Sequence, residues 1–261
     1  MRRLLVAALL ALARTLDRAV TVTAFLAAGL LRLDTLGRHM EENWRQFGAS
    51  QSDADIAAGL FHWEQAFYRR FLAPGDRVLV VGCWGGRDLI ALLEQGYRAE
   101  GLEPVAACAD QARARLVVRR LDADVVTADI VTAVLTRRYD AIVFSWLCYS
   151  YTPLRARRIA VLRKVKEHLA PGGRILISYL RASRPPRRLR WRLAWLTSVL
   201  SRADSRPEHG DVFIARTETG YIHYEHHFTQ AQIEAEARAA GLVVVLHEPG
   251  PDGNLALVPA P

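Results

Sequence analysis

The stretch Arg77-Val-Leu-Val-Val-Gly-Cys-Trp-Gly-Gly-Arg-Asp-Leu-Ile-Ala-Leu92 constrains the fold of this chain more than any other. Val78 to Val81 is a short apolar, mostly β-branched run, the pattern of a central parallel strand covered on both faces. Gly82, Gly85 and Gly86 follow at once, and from Arg87 apolar residues return at helical spacing. A strand that turns on glycine into a helix brings backbone N–H groups close to a ligand. A turn that only packs helix on strand is the plainer alternative.

The following segments bear on which ligand. Tyr97 to Pro104 reads as a second strand ending on Glu103, about 20 residues past the glycines, where an acid can accept both ribose hydroxyls of an adenosine. Val125 to Ile130 reads as a third strand ending on Asp129, placed where an adenine edge would lie. The glycine spacing is not G-x-G-x-x-G, so the dinucleotide fingerprint is not met. With these residues the chain resembles the class I S-adenosylmethionine (SAM)-dependent methyltransferases over residues 55 to 258.

The resemblance implies that Gly82, Cys83, Trp84, Gly85 and Gly86 wrap the methionine end of SAM. It places Glu103 and Pro104 at the ribose, Asp129 and Ile130 at adenine, and Ser145 on the cofactor side. Trp146, Tyr149 and Tyr151 then fall on the acceptor side. Two positions depart from the family pattern: Val80 stands where an acid is usual, and Trp84 stands at the middle glycine. A tryptophan there either blocks the site or swings outward as part of a wall. The first outcome would make the chain a catalytically degenerate, methyltransferase-like binding protein.

Tyr139 to Ser145 reads as a fourth strand. The helix Leu154 to Leu169, Pro171-Gly-Gly173 and the strand Arg174 to Tyr179 then form a recurrent feature of the same family. Strands alternating with helices imply a parallel sheet with helices on both faces. The expected fold is therefore α/β, a Rossmann-like domain with a mostly parallel seven-stranded sheet and an N-terminal helical extension. Leu242 to Leu246 and Leu255 to Val258 supply its last two strands, the final one antiparallel as the resemblance implies. The expected boundaries are 1–52 for the extension and 53–261 for the methyltransferase domain, with an insertion at 181–220. From Asp53 the series Ile56, Leu60, Trp63, Phe67, Phe71 predicts one amphipathic helix. The arginines of 105–120 read as a solvated face.

A net charge of +8, carried mainly by arginine, favours anionic partners such as phosphates, nucleic acid or lipid headgroups. Cys83, Cys108 and Cys148 are odd in number and form no C-x-x-C pair, which reads as a reducing compartment without disulfides or zinc. Met1 to Leu33 holds two apolar runs, Leu4 to Ala13 and Ala19 to Leu31, interrupted by Arg14, Asp17 and Arg18. Neither reaches the roughly 18 residues of a spanning helix. A signal peptide, a helical pair forming a lid and an in-plane amphipathic anchor are the competing readings. Arg187 to Trp195 interleaves arginine with Trp191 and Trp195, which suits an anionic bilayer, nucleic acid or a plain surface helix.

Methyl transfer needs donor and acceptor in line, and a hydroxyl acceptor also needs a base. His223, His226 and His227 are the candidates, ahead of Tyr149 and Tyr151. They flank Glu225, but adjacent strand residues point to opposite faces, so no metal set is expected. The expected function is SAM-dependent methylation, at oxygen, of a small-molecule or lipid-like acceptor on the cytoplasmic side, at the inner face of the cell membrane. RNA methylation is the alternative within enzymes, and nucleic acid is the less favoured partner. The oligomeric state is not legible.

Overall fold

A computed structural model describes residues 1–49, 52–182, 188–250 and 252–261. In chain order the elements are α1 Arg2–Ala28, α2 Leu33–Ala49, α3 Asp53–Ala58, α4 His62–Phe71, β1 Arg77–Val81, α5 Arg87–Glu94 and β2 Arg98–Glu103. They continue with α6 Ala106–Arg119, β3 Val125–Thr127, β4 Tyr139–Phe144, α7 Arg155–Glu167, β5 Leu169–Tyr179 and α8 Arg188–Leu200. The last are β6 Asp211–Arg216, β7 Tyr221–His226, α9 Gln230–Ala239, β8 Leu242–Pro249 and β9 Gly253–Pro259.

Seven strands form one sheet in the order β3-β2-β1-β4-β5-β9-β8, and β6 and β7 pair separately. The pairs β1–β2, β1–β4, β2–β3 and β4–β5 are parallel, whereas β9 runs antiparallel to both β5 and β8. This is the expected Rossmann-like architecture. Alternate residues feed two cores. Leu79, Val81, Ile142, Phe144, Ile175 and Ile177 pack with Leu162 and Val165 of α7 and Ile233 of α9. On the other face Val78, Val80, Ala141, Val143 and Leu176 meet Phe67 of α4, Leu89 and Ile90 of α5, and Ala112 of α6.

Two compact units are present among the described residues: one comprises 1–43 and 188–225, the other 44–182 and 226–261. In the first, Phe25 meets Phe213 edge-on at 5.4 Å, and Asn43 Nδ2 donates to the Ile222 carbonyl at 3.1 Å. A Cβ at Gly29 would fall inside Thr197 and the Ala194 carbonyl, so the end of α1 and α8 touch backbone to backbone.

Several local expectations are corrected. The predicted helix from Asp53 to Phe71 is two helices, because Gly59 closes α3 at φ 67° and α4 restarts behind Phe61. Strand β3 stops at Thr127, short of Asp129. Strand β5 begins at Leu169, not Arg174, and Pro171-Gly-Gly173 is a bulge within it, since Tyr139 pairs Leu169 while Ala141 pairs Arg174. The two apolar runs of the amino-terminal segment form one continuous helix, α1, not a pair. Arg113 and Arg115 are only partly solvated: they donate to the Val125 and Gly85 carbonyls at 2.7 and 2.9 Å. Of the loop expected at 48–53, residues 50 and 51 lie outside the described residues, as do 183–187 and with them Arg187.

The second unit is also locked by a buried ion pair. Arg158 Nη2 reaches Glu236 Oε1 at 2.8 Å, both side chains 1% exposed, and the Tyr149 hydroxyl donates to Glu236 Oε2 at 2.9 Å. Removing one partner strands the other charge, so Glu236→Ala should cost about 3–5 kcal/mol in urea unfolding. Replacing both, as Arg158→Met with Glu236→Met, should cost clearly less. Equal losses would show that the pair contributes by packing alone.

Candidate active site

The carboxyl ends of β1, β2, β3 and β4 converge, as they do where open parallel sheets bind ligands. Gly82 N–H donates to the Leu102 carbonyl at 2.8 Å, and Ser145 N–H to the Val81 carbonyl at 3.0 Å. Gly82 and Gly86 sit at φ 70° and 97°. A Cβ on Gly82 would also press on Cys148 at 2.8 Å, so glycine is required there by space as well as by φ. Gly85 is buried and held through its carbonyl by Arg115.

Glu103 closes this turn. One carboxylate oxygen accepts from Trp84 N–H at 2.8 Å and the other from Val105 N–H at 3.0 Å. The side chain is 4% exposed, and burial pushes its carboxyl up to about 7; the two N–H donors oppose the rise and the Asp129 charge adds to it. Each oxygen keeps a lone pair for a further donor. Pro104 is exposed and leads into α6. Asp129 is exposed, its Oδ1 accepting from Val131 N–H at 2.8 Å, and Ile130 beside it is buried. The charges of Glu103, Asp88 and Asp129 all reach the Cys148 thiol and, after burial, push it further up. Cys83 is sealed beneath the loop.

Trp84 holds φ 48°, the left-handed region that disfavours a side chain. Its half-buried indole is the middle of three stacked rings, with Phe47 at 5.1 Å and 3° and Trp146 at 5.8 Å and 23°. Trp44 approaches Trp84 at 6.1 Å and Tyr151 at 4.7 Å. Phe61 meets Trp146 tilted, at 6.3 Å and 53°. Trp146 and Leu147 also have positive φ, 28° and 67°, and the Ser178 hydroxyl accepts from Leu147 N–H at 2.9 Å. Strained backbone concentrates here. Tyr149, expected on the acceptor side, is instead wholly buried with its hydroxyl committed to Glu236.

Sequence reasoning missed a charge cluster under the loop. Arg87 Nη2 lies 2.6 Å from both Glu64 Oε1 and Asp88 Oδ1, and Ser145 Oγ donates to Asp88 Oδ2 at 2.7 Å. The guanidinium sits 4.2 Å from the Phe61 ring centroid. Burial, then the Asp88 charge, holds the Glu64 carboxyl well above the usual range although Arg87 pulls it down. The signal was Arg87-Asp88 entering an otherwise apolar helix. Trp44 and Phe47 were missed because α2 looks polar; its buried Leu36, Met40 and Asn43 recur at helical spacing.

His223, in the first unit, is buried and lies 3.3 Å from Glu225 Oε1, as alternation predicts. His226 and His227 belong to the second unit. His226 is buried against Phe228 at 4.5 Å, and His227 is half-buried.

Comparison with known proteins fits this geometry. Residues 60–247 match the family described as "Methyltransferase domain". The chain belongs to that family and is a methyltransferase. Among solved structures it is similar to a SAM-dependent methyltransferase from Methanosarcina mazei, with TM-score 0.61, 16% identity, and 77% of this chain and 99% of that one covered. It is also similar to the CcbJ methyltransferase of Streptomyces caelestis, with TM-score 0.59, 16% identity, and 76% and 89% covered. A third is the 1,6-didemethyltoxoflavin-N1-methyltransferase of Burkholderia thailandensis, with bound 1,6-didemethyltoxoflavin and S-adenosylhomocysteine: TM-score 0.56, 18% identity, 77% and 78% covered. Comparison with curated proteins finds no match.

The left-handed backbone at Trp84 has a measurable consequence. Trp84→Gly and Trp84→Ala both remove the three-ring stack, but only glycine relieves the strained φ. The glycine variant should be more stable than the alanine variant by about 1 kcal/mol, against the usual order of the two residues. The reverse order in thermal unfolding would show that φ at Trp84 carries no strain.

Proposed function

We propose that the chain transfers a methyl group from SAM to a small-molecule or lipid-like acceptor, at oxygen, at the cytoplasmic face of the cell membrane. The observation that carries the cofactor assignment is the loop Gly82–Gly86 closed on the buried Glu103 carboxylate. Its residues fit SAM: left-handed glycines give close backbone approach, and Glu103 has acceptor capacity for two ribose hydroxyls. Asp129 and Ile130, beyond β3, would hold adenine between a hydrogen-bonding and an apolar side chain. When bound, SAM supplies an electrophilic methyl on a sulfonium centre.

What the chain itself supplies is position and electrostatics. Two carboxylates, Glu64 and Asp88, meet one guanidinium, Arg87, while the Glu103 carboxyl closes the loop through Trp84 N–H, so acidic groups gather where a cationic ligand would sit. The rings of Trp84, Trp146, Trp44 and Tyr151 offer an apolar, sheltered approach for an acceptor. Proximity then accounts for much of the rate enhancement. The base for a hydroxyl acceptor is assigned to the histidines of the second unit, His226 and His227, of which His227 is the one not sealed from solvent. A nitrogen acceptor is the second reading, favoured by the N1-methylating relative of similar fold.

Protonating Glu103 would place a hydrogen on an oxygen that already faces an N–H donor, removing an acceptor. SAM affinity by isothermal titration should therefore rise as pH climbs through about 7 and level off above it. Glu103→Ala loses two charge-assisted bonds of about 1.5–3 kcal/mol each, a drop on the order of a hundredfold or more. Unchanged affinity in a folded Glu103→Ala variant would refute the ribose assignment. An absence of SAM binding by the parent chain would favour the degenerate reading.

A further inference from the structure

The amino-terminal helix leaves its apolar side chains uncovered. Residues 1–20 of α1 are all exposed, among them Leu5 at 63%, Leu9 at 57%, Leu12 at 55% and Leu16 at 58%. At about 100° per residue, Leu5, Leu9, Leu12, Leu16 and Val20 form one ridge along the helix. Arg3, Arg14 and Arg18 fall on the opposite side. The residues by which α1 packs in its own unit, Ala24, Phe25 and Ala28, lie about a quarter to half a turn away from the ridge.

Helix α8, which α1 touches at Gly29, repeats the arrangement. Ala194 and Ser198 are fully buried, whereas Leu189, Leu196 and Leu200, on one line at i, i+7 and i+11, are exposed at 69%, 48% and 75%. Arg190 and Arg192 are interleaved with them. Trp191 is not part of this surface, since its indole N–H donates to the Pro207 carbonyl at 2.8 Å; Trp195 is. No helix of the described residues is long and apolar enough to cross a membrane.

We propose that α1 lies in the plane of an anionic phospholipid surface, its Leu5–Leu9–Leu12–Leu16 ridge among the acyl chains, with the Leu189–Leu196–Leu200 line of α8 as a second contact. This deepens, and rests on, the reading that the chain works at a membrane face on a lipid-like acceptor. Charge complementarity selects the occupant: the ridge is backed by arginines, and arginine-backed apolar helices bind anionic interfaces. A second copy of the chain fits less well. A two-helix seam would cover the ridge but leave Leu4 at 76%, Val6 at 54% and Leu10 at 57% in water, because they flank it on both sides.

Flotation of the full chain with phosphatidylcholine vesicles and with vesicles also containing phosphatidylglycerol tests this, beside isothermal titration with SAM. The full chain should float with the anionic vesicles, less so at high salt, and sparingly with the neutral ones. The variant Leu9→Glu with Leu12→Glu alters exposed positions only, and its partitioning should fall on the order of tenfold or more with SAM binding kept. Arg14→Glu with Arg18→Glu should weaken flotation and flatten its salt dependence. A chain that binds SAM but stays at the bottom of the anionic gradient overturns the membrane proposal alone, as does a leucine variant that floats undiminished. A dimer that the leucine variant dissociates, without flotation, would assign the ridge to a second copy. Flotation without SAM binding would spare this proposal and refute the cofactor reading.

Discussion

The carboxylate of Glu103 is the joint on which the site depends. A buried acid is costly unless its oxygens are satisfied, and here each accepts one backbone N–H, from Trp84 on the loop after β1 and from Val105 at the start of α6. The same contact therefore fixes the tip of β2 against the glycine turn. With Gly82 bonded to Leu102 and Ser145 bonded to Val81, three strand ends are tied into one platform. The helices on both faces of the sheet supply the burial that makes these hydrogen bonds strong.

Beneath the platform, Arg87 answers two carboxylates at once. Removing a buried guanidinium from such a set would leave like charges facing each other, so the cluster binds α4 to α5 through electrostatics as well as packing. Above it, the stack of Phe47, Trp84 and Trp146 replaces what a small residue would leave open. The strain at Trp84 and the two positive φ angles after β4 are held by this stack and by the Ser178 hydroxyl. A loop that is costly locally is kept in place by its neighbours, a common property of ligand sites.

The sheet was legible because its evidence is local. Apolar runs such as Val78–Val81 and Tyr139–Phe144, each followed by glycine or polar turn residues, announce buried parallel strands without any tertiary information. The acid at Glu103 was legible for a similar reason: it ends a strand at a set distance from the glycines. What could not be read depends on partners distant in sequence. Tyr149 looked like a site residue because it follows β4, yet Glu236, far along the chain, draws it inward. Arg113 and Arg115 looked solvated because a helix face of arginines usually is, and only the fold brings the Val125 and Gly85 carbonyls to them. Trp44 and Phe47 were hidden on a helix whose apolar residues are few. The break at Gly59 was outweighed in the reading by a helical period that continues across it.

The central claim is that the loop Gly82–Gly86, the tip of β2 and the turn after β3 form one nucleoside-binding platform. Amide hydrogen exchange with and without saturating S-adenosylhomocysteine tests it most directly. The account predicts slower exchange in peptides spanning 82–88 and 127–132, with little change across β8 and β9. Equal exchange in those two peptides, with protection appearing elsewhere in the chain, would contradict it.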